Sequence, residues 1–455
     1  MKKLFIQTFG CQMNQYDSER IARVMSRMDY VPTDQAEAAD LILLNTCSVR
    51  NKAEQKVYSA LGRWKDLKER RDGVIIGVGG CVAQQEGEKL LKRVPYLDLV
   101  FGTHNIHKLP AMVAQVQTSR ARPVETAFYR DPDYMEDPFG RSEVQGGKAF
   151  VTIMQGCSKV CSFCIVPHVR GREVSRPSVH IISEIEALAR QGVMEVMLLG
   201  QNVNSYGKLT AGELSFAELL GRVNRIAGVE RIRFTTSHPQ DLSPELIAAF
   251  TTLDHLCQHL HLPVQSGSDA VLARMRRGYT RAEYLDRLSR LRGRAPEVAL
   301  STDIIVGFPG ESEAEFDQTL EMLELVGYDE IYSFVYSPRP QTVSAKIYDD
   351  DIPDEVKKER LQRVQTLQRG ISLAKNRLRI GARDEILVDG LSRLKNGQIM
   401  GRTRTNRIVN VAGPESLIGK LVAVKITGAT ATSLLAELSN AEPVSNYQQI
   451  EGELA

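Results

Sequence analysis

Short apolar runs closed by glycine or small polar residues alternate with amphipathic stretches along most of this chain, a rhythm that predicts strands followed by helices. Within residues 1–118, Lys3–Thr8 reads as a strand entering Gly10-Cys11. A helix follows from about Ser18, with apolar positions at Ile21, Val24 and Met25. Leu41–Leu44 is unbroken apolar sequence of the kind buried in parallel sheets, and it ends at Asn45-Thr46-Cys47. Val74–Val78 repeats the pattern and ends at Gly79-Gly80-Cys81. Cys11, Cys47 and Cys81 therefore each lie just past the carboxyl end of a predicted strand, the edge where open parallel α/β sheets bind ligands. One such cysteine alone would be read as core, since cysteine is among the most buried residue types. Three in equivalent positions favour a shared metal site. His104 and His107 are further potential ligands, although loop histidines are more often simply solvated.

Residues 119–142 break the rhythm. Asp131-Pro132-Asp133 and Met135–Gly140 make this stretch turn-rich and acidic, a linker between domains. Residues 143–373 resume as βα units, with strands expected at Phe150–Met154, Val196–Gly200, Arg231–Thr235, Leu260–Val264, Ala299–Val306 and Ile331–Tyr336. Helical stretches such as Ile181–Arg190 and Glu313–Leu325 fall between them. Six such repeats suit an open partial TIM-like barrel, with function at the carboxyl ends of its strands. Those ends carry Gly156-Cys157, Gly200-Gln201-Asn202, Ser237-His238-Pro239, Gln265–Asp269, Gly307–Glu311 and Ser337–Pro340. Asp354–Leu378 reads as one long helix, with Leu361, Val364, Leu367, Ile371 and Leu378 near a heptad spacing. Residues 376–440 change to short strands at Glu385–Val388, Ile408–Val411 and Leu421–Ile426, separated by glycine turns, as in a small antiparallel β-barrel. A polar tail, 441–455, follows. The fold class is α/β with an appended barrel.

Composition narrows the setting. The 455 residues are 42% apolar and 25% charged, and the net charge of +2 gives no global argument for nucleic acid. No apolar run reaches the roughly 18 residues of a membrane helix, and the start lacks a signal-peptide cleavage pattern. A cytoplasmic, monomeric protein with no membrane contact is expected. Its seven cysteines are then ligands or core rather than disulfides. Cys257 matches no ligand pattern and is read as core. Charge is local: residues 376–440 hold ten Lys or Arg against five Asp or Glu, and Gly401–Arg407 gathers Arg402, Arg404 and Arg407 around one turn.

The densest chemistry is Gly156–Cys164, where Cys157, Cys161 and Cys164 stand as C-x3-C-x2-C. Three thiolates this close can hold a four-iron cubane, one to an iron, leaving one iron open. Zinc with a further ligand is an alternative. So is a helix bearing the thiols on one stripe, but Gly156, Pro167 and polar Ser158, Lys159 and Ser162 favour a loop.

C-x3-C-x-Phe-C opening a βα domain resembles the radical S-adenosylmethionine (SAM) enzymes. That resemblance implies a 4Fe-4S cluster on Cys157, Cys161 and Cys164 whose open iron binds SAM, and it implies that Phe163 lies near the adenine. Thr8–Asn14, Asn45-Thr46-Cys47 and Gly79–Ala83 resemble the N-terminal, flavodoxin-like domain of the methylthiotransferases, and Gly10-Cys11-Gln12-Met13-Asn14 is similar to their MiaB-type tRNA branch. Leu198–Asn204, His261–Asp269, Met275–Thr280 and Val306–Glu311 extend the likeness, and Gly200, Gln201, Asn202, Gln265 and Gly307 become candidate cofactor contacts. The last segment resembles a TRAM domain, an RNA-binding module, which would make Arg402, Arg404 and Arg407 its RNA contacts. The sequence departs from the family at Gln341, where glycine usually follows Arg-Pro.

The family's activity is methylthio transfer to C2 of N(6)-isopentenyladenosine at tRNA position 37. The resemblance further implies an auxiliary 4Fe-4S cluster on Cys11, Cys47 and Cys81 that bears sulfur, and two SAM per turnover. One SAM methylates the sulfur and the other supplies the radical. Implied partners are a tRNA anticodon loop, an electron donor such as flavodoxin or ferredoxin, and a sulfur or cluster carrier. Two alternatives stand beside this. The same machinery could act on threonylcarbamoyladenosine or a ribosomal-protein aspartate, against which Gln12-Met13 argue. The chain could instead be a non-catalytic iron–sulfur RNA-binding protein, for which the glycine-rich rim loops are surplus.

Overall fold

A computed structural model of the chain describes residues 1–48, 51–135, 147–392 and 397–439. Residues 136–142 of the expected linker and the polar tail lie outside the described residues.

The first unit is a fully parallel sheet. Its strands are β1 (Lys2–Thr8), β2 (Tyr30–Pro32), β3 (Leu41–Thr46), β4 (Ile75–Gly80), β5 (Leu99–Phe101) and β6 (Val124–Glu125), in the order β2-β1-β3-β4-β5-β6. This is the doubly wound, flavodoxin-like order with one strand added at the edge. Part of the stretch expected as linker thus supplies β6, because its backbone hydrogen-bonds β5. The apolar runs are buried on both faces for a simple reason. Alternate residues of β3 enter opposite layers, Ile42 and Leu44 packing with Trp64 and Leu61, Leu41 and Leu43 with Ile21 and Met25. The first helix begins at Gln12, earlier than expected, because Met13, Asn14 and Tyr16 already face inward.

The second unit holds β7 (Lys148–Thr152), a small antiparallel pair β8 (Met154–Gln155) and β9 (Val174–Ser175), then β10 (Glu195–Leu199), β11 (Arg231–Phe234), β12 (His259–His261), β13 (Ala299–Val306) and β14 (Glu330–Val335). Strands β7, β10 and β11 form one parallel sheet and β12, β13 and β14 another. A bridge from Ile232 to Leu256 joins them into the expected open six-stranded barrel. One continuous core fills it, from Val151 and Leu198 through Phe234 and Leu260 to Val306 and Val364.

Helix Asp354–Arg377 departs from the heptad reading. Its buried stripe is Lys357, Arg360, Val364, Gln368, Ser372 and Asn376, while Leu378 is 84% exposed. Polar groups serve this face because they cap loop backbone: Gln368 donates to the Tyr328 carbonyl at 2.8 Å, and Arg360 to the Glu311 carbonyl at 2.9 Å.

The third unit is a closed barrel of β15 (Arg383–Leu391), β16 (Gln398–Thr403), β17 (Ile408–Ala412), β18 (Leu421–Ala429) and β19 (Leu434–Leu438). Its pairings are antiparallel except for β17 with β19. The β16–β17 turn plugs the amino-terminal end of the larger barrel. Arg231 donates to the Arg402 carbonyl at 2.7 Å and Arg233 to the Thr403 carbonyl at 2.7 Å. A hairpin tip leaves carbonyls without strand partners, and the buried guanidiniums supply them.

Candidate active site

Gly156 sets the cysteine loop. Its φ of 82° lies in the left-handed region, and a Cβ there would stand 2.1 Å from the Arg172 carbonyl oxygen, so only glycine fits. Residues from Gly156 to Ile165 contain no helix, so the stripe-on-a-helix reading falls. The loop is pinned at both ends. Gly156 N donates to Gln201 Oε1 at 2.5 Å, and Ser162 N and Oγ donate to the Met275 and Arg274 carbonyls at 2.9 and 2.8 Å. Buried Arg277 donates to Cys161 Sγ at 3.2 Å. Phe163 packs half-buried against Val271, Met275, Phe308 and Tyr336.

Cys157, Cys161 and Cys164 are each half-buried. Burial pushes the Cys157 thiol up to about 11 and Cys164 to about 12, and the neighbouring Cys161 adds repulsion to both. Cys157 and Cys164 therefore resist ionisation until a metal takes them, since a coordinating metal deprotonates its thiol outright. Among the described residues no three His, Cys, Asp or Glu side chains converge as ligands of a single ion. One zinc would gather its sulfurs within about 2.3 Å of a point. A cubane takes each thiolate at a different iron, and three thiols on one loop are the donor set it needs.

The rim beside this loop is polar and under-satisfied. Buried Gln201 Nε2, Asn202 Oδ1, Ser237 Oγ, His238 Nε2 and Glu173 Oε1 have no partner. Native interiors rarely tolerate such atoms, so five at one rim make it a candidate ligand site. Asp241 organises it, accepting from Asn202 Nδ2 at 2.9 Å and pairing with Lys159 at 2.9 Å and Lys208 at 2.8 Å. Burial, with the charges of Arg277 and Lys159, pushes His238 down to about 2, so its imidazole is neutral. Thr236 and Gln265 hold φ of 61° and 80° just past their strands. Strain of this kind concentrates at functional sites. Gly200 is buried and its carbonyl accepts from Thr236 Oγ1 at 2.6 Å. Gly307, on the other half-sheet, has a φ of 70° and donates to Glu311 Oε2 at 2.6 Å. Gln201 is thus brought directly onto the cysteine loop and Asn202 into the Asp241 cluster, while Gln265 and Gly307 lie at neighbouring strand ends.

The N-terminal trio meets this site from the opposite side. Cys11 caps the helix Gln12–Ser26, Cys47 follows β3, and Cys81 opens the helix Cys81–Glu86. Gly80, with a φ of 88°, makes that last turn possible; a Cβ there would meet the Thr46 carbonyl at 2.4 Å. The Cys47 side chain hydrogen-bonds Cys11 and, with Arg170, holds its thiol down to about 6, against the opposing effect of burial. Cys81 packs against Ile165 and Val169 of the turn and helix that directly follow Cys164. Thr103 Oγ1 donates to the Val169 carbonyl at 2.8 Å, and Arg170 pairs with Asp17 at 2.7 Å. Each trio of thiols therefore lies on one side of a single interface.

Two expectations need correction. His104 is not solvated: it is 1% exposed, hydrogen-bonded to the Arg170 carbonyl at 2.9 Å and stacked on Tyr134, because it seals this interface. His107 is exposed. The arginine turn is far from free to face phosphate. Arg404 donates to the Leu256 carbonyl at 2.9 Å, Arg407 pairs with Asp329, and Arg402 reaches Asn406 at 3.2 Å and Asp389 at 3.6 Å. Cys257 is buried, as expected of core. Arg170, Arg277, Glu173 and Asp241 carried no assigned role in the sequence; only Arg277 lay in a motif, Met275–Thr280, that could have drawn attention to it.

The barrel and its cysteine loop define a radical SAM enzyme, and residues 151–323 match the Radical SAM superfamily. Residues 3–102 match the uncharacterized protein family UPF0004, and residues 377–439 the TRAM domain. A radical SAM methyltransferase, TsrM from Kitasatospora setae, solved with cobalamin and a [4Fe-4S] cluster, shares the fold with a TM-score of 0.57 at 14% identity, over 76% of this chain and 77% of that one. The chain is 53% identical over 438 residues to the tRNA-2-methylthio-N(6)-dimethylallyladenosine synthase of Geobacter sulfurreducens, covering 96% of this chain and 97% of that protein. It is 50% identical to the synthase of the same name from Delftia acidovorans, over 96% and 99% of the two. The chain belongs to the tRNA-2-methylthio-N(6)-dimethylallyladenosine synthases, which are radical SAM methylthiotransferases. Among the described residues no helix is long and apolar enough to cross a membrane.

Proposed function

We propose that this chain installs a methylthio group at C2 of N(6)-isopentenyladenosine at tRNA position 37, with Cys157, Cys161 and Cys164 holding the SAM-cleaving 4Fe-4S cluster and Cys11, Cys47 and Cys81 an auxiliary one. The carrying observation is the packing of Cys81 against Ile165 and Val169, which brings both trios to one interface. When bound, the two clusters and two SAM per turnover supply radical generation and the methylated sulfur.

The chain's own residues do the rest. Gln201 and Ser162 fix the loop so that its thiols are pre-placed, which spares the ordering cost when the cluster is taken up. Arg277 donates to Cys161 and places positive charge where thiolate charge collects. The unpartnered groups of Gln201, Asn202, Ser237, His238 and Glu173 suit a zwitterionic, adenosine-bearing ligand, offering both donors and acceptors. Neutral His238, whose Nδ1 accepts from Gln240 N, carries its proton on Nε2 and can donate there without adding charge. Phe163, Phe308 and Tyr336 keep water from one flank. The chain would act as a cytoplasmic monomer, with a donor such as flavodoxin or ferredoxin for electrons and a carrier protein for sulfur.

Anaerobic reconstitution followed by mass spectrometry of nucleosides from isopentenylated tRNA tests this. About eight irons in the wild type, falling to about four in either triple Cys→Ala variant, are expected. A product altered elsewhere than C2, or iron unchanged in both variants, would reject it.

A further inference from the structure

Arg170 is 3% exposed at the end of the helix Val166–Arg170, which leads directly from the SAM-side cysteine loop. Its Nη2 is taken by Asp17, itself 4% exposed, at 2.7 Å. Its carbonyl is held by His104 at 2.9 Å. Its charge acts on both Cys11 and Cys81 across the interface. Yet Nη1, fully buried, has no hydrogen-bond partner. Arginine cannot shed its proton, so an orphaned guanidinium nitrogen in such a place costs free energy that an absent anion would offset. Cys11 and Cys81 are the two thiols that its charge reaches, and Asp17 is committed to the other nitrogen.

We propose that Arg170 is the cationic positioning residue of the auxiliary site, its unshared Nη1 donating to the sulfur anion carried beside Cys11 and Cys81. This rests on the reading of those cysteines as cluster ligands. The planar fork splits two tasks that lysine could not share. One nitrogen fixes the side chain on Asp17 of the first unit, and the other aims at the ligand. Because Arg170 follows the cysteine loop of the barrel, the same residue sets the auxiliary sulfur relative to the SAM-side cluster. A displaced Arg170 would thus misplace the sulfur without removing any cluster ligand.

The test uses full-length protein in the Cys157→Ala/Cys161→Ala/Cys164→Ala background, so that only the auxiliary cluster remains. It is reconstituted anaerobically and titrated with sodium hydrosulfide, followed by electron paramagnetic resonance of the reduced cluster. Arg170→Met should keep its iron but bind hydrosulfide at least about tenfold more weakly, the loss of one charge-assisted hydrogen bond. Its reduction potential should fall. Arg170→Lys should recover part of the affinity. Since Arg170→Met strands the Asp17 carboxylate, Asp17→Asn/Arg170→Met is measured beside it and should show the same weakening in a normally melting protein. Wild-type hydrosulfide affinity in an iron-replete double variant would overturn the proposal and leave Arg170 a structural ion pair. Loss of iron from the double variant with unchanged melting would overturn it too, making Arg170 an assembly residue. Iron retained when Cys11, Cys47 and Cys81 are also removed would refute the auxiliary-site reading itself, a distinct result.

Discussion

Arg277 Nη1 stands 3.2 Å from Cys161 Sγ, while Nη2 donates to the Pro263 carbonyl at 2.6 Å and Nε to Tyr279 Oη at 2.9 Å. One buried guanidinium thereby ties the cysteine loop to the barrel. Arg277→Met should weaken cluster retention and cut SAM cleavage at least about tenfold, since hydrogen bonds to charged groups are worth about 1.5–3 kcal/mol. Arg277→Lys should rescue little, because it cannot satisfy all three acceptors. Iron content and 5′-deoxyadenosine yield read the outcome; wild-type values in Arg277→Met would mean that the Gly156–Gln201 and Ser162 hydrogen bonds hold the loop without it.

The engagement of Arg404 and Arg407 inside the chain changes what their removal does. Arg404→Ala/Arg407→Ala should loosen the small barrel from the larger one, exposing the segment around Ile380 to faster limited proteolysis while SAM cleavage persists. Proteolysis at the wild-type rate would show that Arg231 and Arg233 alone suffice for docking.

Phosphate contact is expected instead from the β15–β18 face. Arg383 and Lys425 are exposed and directly opposite one another in register. Glu437 stands opposite Lys425 on its other side, so one carboxylate offsets part of the repulsion and a phosphate would offset the rest. Arg383→Ala/Lys425→Ala should weaken tRNA binding and lower the slope of log affinity against log salt by roughly 2. An unchanged slope would remove this face from the tRNA surface.

Gln341 sits at a φ of 77°, where a side chain is strained and glycine is not. This is the physical content of the family's usual glycine there. Gln341→Gly should stabilise the barrel by roughly 1 kcal/mol, and denaturant unfolding checks the direction.

Glu311 gives a pH dependence. Burial raises its carboxyl to about 7, despite donation from Gly307 and the charge of Arg360. A folded-state value above the unfolded one means that the protonated form favours folding. Its contribution is full at low pH and is lost as pH rises through about 7. Glu311→Gln should therefore gain on the wild type as pH rises from about 4.5 to about 7, the two differing least in acid. A stability difference independent of pH would contradict this.

Much of this was legible in the chain. Apolar runs buried on both faces can only be interior parallel strands, so β3 and β4, and with them the positions of Cys47 and Cys81, follow from hydrophobicity alone. The spacing of Cys157, Cys161 and Cys164 is local, and a loop held by Gly156 preserves it whatever surrounds it. What sequence could not show was which polar side chains would be spent within the protein. Arg402, Arg404 and Arg407 look like an RNA-facing cluster until a hairpin tip meets Arg231, Arg233 and Asp329. Lys357, Arg360 and Gln368 look like a solvent face until loop carbonyls need donors. His104 looks like a loop residue until Tyr134 and Arg170 close over it. In each case the deciding partner lies far along the chain, and hydrogen-bond satisfaction of buried backbone is settled only when distant elements come together. Hydrophobic periodicity and cysteine spacing are written locally; the fate of a charge is decided by the tertiary structure.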